Sequence, residues 1–441
     1  MFTHIIRRLG LFGGLAAAGA LLASSPAFGA VIQPNTFGDE NGAGGACSLR
    51  EAVLAANTDG AFGGCPAGGG ADTIPLAAGT YTLAIPVGTT GDDGDLDVAG
   101  PLTISHAGVT PAVIDGAGVD RVVHVLGTGN LTAFGFTIRN GRTAQSGGGI
   151  RNEGSLSLSN VTVSGNETTA SYGGGIANAG TATMALANVT ISGNRAEGDG
   201  GGIDQGLGGL ANLSNVTITG NTADTDGDAG GGGGILVAPG TLLNPEGTLN
   251  LRNTVIAGNN DISPPGVGHA HDCGGTLVSQ GHNLIGDAAG CGFVRRGEDK
   301  TDVNARLGPL ANNGGATFTH ALLRGSPAIN AGGSGPAPTD QRGVPRRASD
   351  MGAYEYATCA RRVVNRVGTA GADALIGTRG SDGVLAFGGR DILKGRARKD
   401  GLCGGGGKDK LLGQGGRDTL LGGKGKDVCK GGRGRDVEKS C

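Results

Sequence analysis

Tryptophan is absent from this chain of 441 residues, and phenylalanine and tyrosine together number only 14. A core drawn from such a sequence has to be aliphatic, and aromatic platforms for stacking sugar rings are scarce. Lysine is missing from most of the chain; the first is Lys300. No two cysteines form a C-x-x-C pair, which argues against a zinc ribbon. Past the N-terminal region no apolar run approaches the ~20 residues of a membrane-spanning helix. Glycine, by contrast, occupies 94 positions. An aperiodic chain of that composition would be disordered, but these glycines recur with a period, as residues of tight turns do.

The period is set by one phrase used four times: N-V-T-V-S-G-N at 160–166, N-V-T-I-S-G-N at 188–194, N-V-T-I-T-G-N at 215–221 and N-T-V-I-A-G-N at 253–259. The intervals are 28, 27 and 38 residues, the last lengthened by a loop. A G-G-G-I run keeps the same beat and ends at Ile150, Ile176, Ile203 and Ile235. Repeats of this length mean stacked units. Apolar residues fall two and four positions before each leading asparagine, as at Leu158 and Leu156 or Leu186 and Met184. They fall one and three positions after it, as at Val161 and Val163 or Val189 and Ile191. Side chains alternate along a strand, so both sets cannot share one face of a straight one. The backbone must bend at Asn160, Asn188, Asn215 and Asn253, and asparagine is the non-glycine residue that best tolerates the left-handed conformation of a sharp bend. Strand, bend, strand, loop and G-G-G-I strand make a coil of three short strands. Coils stacked ~4.8 Å apart bury one long core. The arrangement resembles the right-handed parallel β-helix, with a ladder of asparagines at its second bend. The paired G-G-G-I and V-S-G-N phrases are similar to short repeats of bacterial surface adhesins and autotransporter passengers.

Arg7 and Arg8, an apolar run over 9–23 and then Ala27, Phe28 and Gly29 form the pattern of a secretory signal, with cleavage expected after Gly29. Eight cysteines fit an oxidising compartment. Spacing alone cannot decide their pairing; proximity suggests Cys47 with Cys65, Cys273 with Cys291, Cys429 with Cys441, and Cys359 with Cys403. Charge is split. Residues 359–441 hold 18 basic and 9 acidic side chains, and residues 1–358 hold 17 and 29. The change of sign marks a boundary near residue 358.

C-S-L-R-E-A-V at 47–53 opens a short helix. Ser48 and Glu51 have capping-box spacing, and Leu49, Val53 and Leu54 give one apolar face. Such a helix can cover the open end of a β-helix. The heptad resembles the signature of the secreted bacterial β-helix proteins known by the letters CSLREA. That resemblance continues through G-T-Y-T-L at 79–83, G-D-L-D-V at 94–98 and G-H-N-L-I-G-D at 281–287. Residues 307–356 carry N-N-G-G at 312–315, G-S-P-A-I at 325–329, D-Q-R-G at 340–343 and D-M-G-A-Y-E at 350–355. They resemble the segment that ends the β-helix in choice-of-anchor surface proteins, with Asn330 where that group usually has Asp. The resemblance implies a secreted, surface-associated protein and implies no reaction.

Asp373, Asp382, Asp391, Asp400, Asp409, Asp418, Asp427 and Asp436 are nine residues apart throughout. Glycine stands two residues before each, except at Arg398, and five before each, except at Ala386. Two after come Leu375, Val384, Leu393, Leu402, Leu411 and Leu420. The pattern resembles G-G-x-G-x-D-x-U-x, the calcium-binding nonapeptide of RTX toxins. The resemblance implies a β-roll in which turn carbonyls and the eight aspartates hold Ca2+. Alternate repeats should face opposite sides, with Asp373, Asp391, Asp409 and Asp427 in one row and the other four in a second. The residue before the Asp is basic in six repeats (Arg390, Lys399, Lys408, Arg417, Lys426 and Arg435), which should partly neutralise the rows and weaken calcium binding. A metal-free scaffold held by disulfides is the alternative.

Other polar groups are weaker candidates. Asp92, Asp93, Asp95 and Asp97, then Asp224, Asp226 and Asp228, and finally His269, His271 and Asp272 fit solvated loops better than metal sites. Polysaccharide lyases and pectinases share the β-helix, but fold does not set function. The outward positions of the G-G-G-I strands are mostly glycine, Arg151 and Asp204 look isolated, and the one acid–base cluster is Asp115, Asp120, Arg121 and His124. A carbohydrate-active enzyme is therefore the second reading.

The expected protein is all-β. It comprises a signal peptide at 1–29, a capped right-handed parallel β-helix at 30–306, a terminating segment at 307–358 and a calcium-binding β-roll at 359–441. Its expected work is adhesion or surface structure, outside the cell or on its surface. Polysaccharide or a cell-surface polymer is the partner class, with no specific nucleic acid and no transmembrane segment in the mature chain.

Overall fold

The computed structural model describes residues 29–86, 88, 94–224, 231–241, 244–263, 269–334 and 337–441. The expected signal segment up to Phe28, with Asp92, Asp93, Asp226 and Asp228, lies outside the described residues. The G-G-G-I isoleucines open the strands Ile150–Asn152, Ile176–Asn178, Ile203–Gln205 and Ile235–Val237, which stack in parallel on Leu96–Val98 and Val123–Val125. The leucines before the bend lie in Ser155–Ser159, Thr183–Ser192, Leu210–Thr219 and Thr248–Arg252. Their register aligns Leu158, Leu186, Leu213 and Leu251. At the bends Asn160, Asn188, Asn215 and Asn253 have φ of 52°, 54°, 56° and 49°. That left-handed residue reverses the alternation, so Val163, Ile191, Ile218 and Ile256 enter the same core as the leucines. The coils thus form a right-handed parallel β-helix.

Two features go beyond the expected coil. A fourth, two-residue strand follows each of the four phrases, and Arg142–Thr143 stands at the same place one coil earlier: with it, Glu167–Thr168, Arg195–Ala196, Thr222–Ala223 and Asn260–Asp261 form a five-stranded parallel sheet. The main asparagine ladder, moreover, runs through the last residue of the phrase and not through the bend. Nδ2 of Asn166, Asn194 and Asn221 each donates at 2.9 Å to Oδ1 of the next asparagine, ending on Asn259. Asn259 donates to Asp272 at 2.9 Å. The backbone N–H of each donates to the same oxygen. A Cβ on Gly149, Gly175, Gly202 or Gly234 would fall 2.7–3.0 Å from Nδ2 of the asparagine beside it. The last glycine of each run therefore leaves room both for the ladder and for a backbone carbonyl of the next coil. At the bends only Asn188 reaches a neighbouring asparagine, Asn160, at 3.2 Å.

Helix α1, Leu49–Thr58, has the reciprocal Ser48–Glu51 capping box and contributes Leu49, Ala52 and Val53 to the core. Four disulfides join the pairs that proximity suggested. Residues 307–356 do not simply end the stack; they run back along its flank. The reason lies in the sheet after the bend, whose outward Thr162, Thr190 and Thr217 are buried and need hydrogen-bond partners. Gln341 bonds both Thr162 and Thr190, at 2.9 and 2.7 Å. His320 meets Ser192 at 2.8 Å, and the Ala353 N–H donates to Thr217. The buried Arg342 locks this segment to the next one. It pairs with Asp340, donates to the carbonyls of Asn313, Glu355 and Val364, and lies 3.6 Å from the Tyr354 ring centre. No helix among the described residues is long and apolar enough to cross a membrane.

Candidate metal site in the C-terminal repeats

Two nonapeptides make one turn of the C-terminal roll. Ala374–Ile376, Ile392–Ala397, Lys410–Gly415 and Val428–Arg433 form a four-stranded parallel sheet. Opposite it stack Arg362–Val367, Gly383–Leu385, Gly401–Gly407, Thr419–Gly425 and Val437–Lys439. Leu375, Val384, Leu393, Leu402, Leu411 and Leu420 form the thin core between them. So small a core buries little apolar area, and two disulfides, Cys359–Cys403 and Cys429–Cys441, hold this region.

Each aspartate stands immediately before a strand, in one of two axial rows. The backbone N–H of Asp373, Asp382, Asp391, Asp400, Asp409 and Asp418 donates to Oδ1 of the aspartate one turn on, at 2.8–3.0 Å. The second carboxylate oxygen is different. Oδ2 of Asp391, Asp400, Asp409, Asp418 and Asp427 is buried without a hydrogen-bond partner, a condition that costs about 1–3 kcal/mol for each group. Except at Asp391, which follows Ala386, the glycine five positions earlier leaves a small space beside it. The Cβ position of Gly404 lies 2.5 Å from Asp409 Oδ2 and 2.6 Å from the Gly422 carbonyl. The same position on Gly413 lies 2.5 Å from Asp418 Oδ2 and 2.6 Å from the Gly431 carbonyl. A carboxylate and a carbonyl from the next turn converge there, which is the hard-oxygen set that calcium takes. The residues present fit the ion.

The eight aspartates are not equivalent. Thr369 and Thr378 donate backbone N–H and hydroxyl groups to Asp373 and Asp382 at 2.6–3.1 Å, so their Oδ2 atoms are already satisfied. Ala386 puts a methyl group where the other turns have glycine. Arg398 sits at φ 71°, whereas Gly389, Gly407, Gly416, Gly425 and Gly434 at the same position have φ of 126–148°. Burial pushes the Asp391 and Asp400 carboxyls up to about 6, and the carboxylates above and below in each row add to the effect. Asp409 and Asp418 move in the same direction for the same reasons. The basic residue before each aspartate does not counter this by contact. Arg390, Lys399, Lys408, Arg417, Lys426 and Arg435 are exposed, and among the described residues no ion pair joins a roll aspartate to Lys or Arg. Strand alternation turns them outward as the carboxylates turn in.

Elsewhere the polar candidates divide. Asp272 is occupied as the end of the ladder and also accepts from the Asp287 N–H. Asp115 accepts from Arg139 and Asn140, while His271 accepts from the Asp261 N–H and stacks on His269. Asp224 is buried and accepts from Ser263 at 2.8 Å. Arg151 is not isolated, contrary to expectation. Parallel register aligns Asp97, His124 and Arg151 on one outer face. His124 lies 3.2 Å from Asp97 and 3.5 Å from Glu153, which pairs with Arg151 at 2.6 Å. Asp95, paired with Arg121 at 2.9 Å, is pushed up to about 6, first by burial and further by Asp97 and Asp120, against the opposing pull of Arg121. Asp95, Asp97, Arg121 and His124 line a cavity of about 550 Å³. Sequence reasoning missed this row because its members are 27 residues apart; counting back one coil from Arg151 would have found it.

A family model described as a right handed beta helix region matches residues 116–288. A second, the RTX calcium-binding nonapeptide repeat, matches residues 367–397 and 404–438. No curated protein and no solved structure matches the chain. Coil geometry, aspartate rows and family models agree: this is a calcium-binding β-helix protein with a C-terminal RTX nonapeptide repeat.

Proposed function

We propose that this is a secreted or cell-surface protein of the CSLREA and choice-of-anchor kind, working in adhesion or surface structure. Its roll at 359–441 holds calcium on the rows Asp373, Asp391, Asp409, Asp427 and Asp382, Asp400, Asp418, Asp436. The strong positions are Asp409, Asp418 and Asp427, where the glycines are complete; Asp391 is weakened by Ala386 and Asp400 by Arg398, and Asp373 and Asp382 are closed by threonine. One observation carries this reading: five buried carboxylate oxygens have no partner, and those of Asp400, Asp409, Asp418 and Asp427 lie beside spaces that glycine leaves open. The aspartate Oδ2 atoms and the glycine carbonyls of the next turn would hold the ion, which would supply the positive charge these buried oxygens lack. The four disulfides support an oxidising, extracellular setting. The β-helix at 30–306, capped by α1 and buttressed by 307–358, would present the long surface on which a polysaccharide or cell-surface polymer docks. Calorimetric titration of the full chain tests the metal assignment: calcium should release heat and magnesium should not, and the absence of calcium heat overturns it.

A second reading has one observation in its favour. The cavity lined by Asp95, Asp97, Arg121 and His124 gathers acids and a base as a carbohydrate-active enzyme does. New reducing or unsaturated ends after incubation with pectin or alginate would establish it.

A further inference from the structure

The outer face of the four-stranded roll sheet carries a regular array that calcium does not use. Strand register aligns Ile392, Lys410 and Val428 in one column, and Ile376, Lys394, Leu412 and Lys430 in the next. Arg390, Lys408 and Lys426 lie along the adjoining edge, each immediately before an aspartate of the first row. All six cations stand off the core: Lys394 is half-buried and the other five are exposed. The four strands contain no Asp or Glu, and among the described residues none of these cations is in an ion pair. Ile376, Ile392 and Val428 are 44, 43 and 50 % exposed between them.

We propose that this face binds a linear acidic polysaccharide lying along the roll axis, its carboxylates on the lysine and arginine columns and its ring C–H groups on the aliphatic residues. The inference rests on the surface-polymer reading above, places a contact on the roll in addition to the β-helix, and names the charge class of the partner. Successive rungs are ~4.8 Å apart, close to the length of one sugar residue, so a chain with a carboxylate on each sugar meets two cations on each of three rungs: Arg390 with Lys394, Lys408 with Lys410, and Lys426 with Lys430. Duplex DNA presents phosphates every ~3.4 Å along each strand and falls out of step. The sheet has no aromatic side chain on which bases could stack. Without aromatic platforms, sugar recognition here has to work through charge and aliphatic contact. Calcium strengthens it, because neutralising the aspartate row beneath removes the negative potential that opposes an anionic chain.

The test uses the full-length protein and a galacturonate hexamer, too short to gel with calcium. Calorimetry in saturating calcium should show binding that weakens as salt rises, with no binding of a neutral maltohexaose. The triple variant Lys394→Gln, Lys410→Gln, Lys430→Gln should lose about tenfold in affinity, as three exposed ion pairs would supply. It should keep its calcium heat and circular dichroism. The opposite-edge variant Lys399→Gln, Arg417→Gln, Arg435→Gln should keep most of the affinity. Chelating calcium should weaken the hexamer. Equal losses in both variants overturn the face assignment, and tighter binding of duplex DNA or of phosphatidylglycerol vesicles overturns the partner class. Calcium heat without hexamer binding rejects this inference and leaves the calcium reading standing. If calcium heat is absent, that reading fails, and hexamer binding in chelator decides the inference separately.

Discussion

Removing calcium should make the roll sensitive to pH in the direction opposite to ordinary acid denaturation. Asp391 and Asp400 are held at about 6 in the folded chain, against an ordinary value of 3.8. A folded value above the unfolded one means that the native state keeps its proton where the unfolded chain has already released it. As pH rises from about 4 through about 6, the unfolded chain therefore gains and the native roll is destabilised. Each carboxyl sets a ceiling of about 3 kcal/mol on this loss. The two lie in different rows, so their contributions add, and Asp409 and Asp418 push the same way. Between pH 4.5 and 7.5 about two-thirds of that ceiling applies, because the unfolded carboxyl is already mostly charged at 4.5; allowing half for relaxation and water entry, the metal-free roll should lose about 2 kcal/mol or more. Hydrogen exchange in the full-length chain reads this directly. In chelator, amides of the strands Gly401–Gly407 and Lys410–Gly415 should lose about thirtyfold or more in protection over that range, after correction for intrinsic exchange. Saturating calcium should abolish the loss by stabilising the charged form. Protection that rises with pH in chelator would refute the buried-carboxylate account.

Four further outcomes follow from particular contacts. Asn194→Ala breaks the ladder and strands the N–H groups of Asn166 in the core; it should cost about 2–4 kcal/mol, measured by denaturant unfolding. Gly413→Ala places a methyl 2.5 Å from Asp418 Oδ2 and should reduce apparent calcium affinity about tenfold or more by calorimetry. Asp409→Asn should lower the number of calcium ions bound, whereas Asp382→Asn, at a carboxylate already satisfied by Thr378, should leave it unchanged; equal effects would show that the threonine turns are open to metal. Arg342→Lys cannot reproduce the guanidinium bonds to Asp340, Asn313, Glu355 and Val364, and should lower the thermal midpoint by the equivalent of about 3–5 kcal/mol.

The sequence by itself determined the coil, its bends and its repeats. Period and phase are local properties: a left-handed asparagine has to reverse an alternation that switches from even to odd offsets, and φ near +50° at Asn160, Asn188, Asn215 and Asn253 is the result. The eight roll aspartates were legible for the same reason, since nine-residue spacing repeats the same environment. The tertiary structure decided what happens between coils. It moved the ladder from the bend to Asn166, Asn194, Asn221 and Asn259, because only there do the neighbouring glycines leave room. It sent 307–356 back along the flank, where buried threonines need partners far away in the chain. It aligned Asp97, His124 and Arg151, which sequence distance had kept apart. Within the roll it separated carboxylates closed by threonine from those left bare, a distinction made by turn conformation and burial. Hydrogen-bond satisfaction in a stacked fold belongs to the rung above and the rung below, and neither is adjacent in sequence.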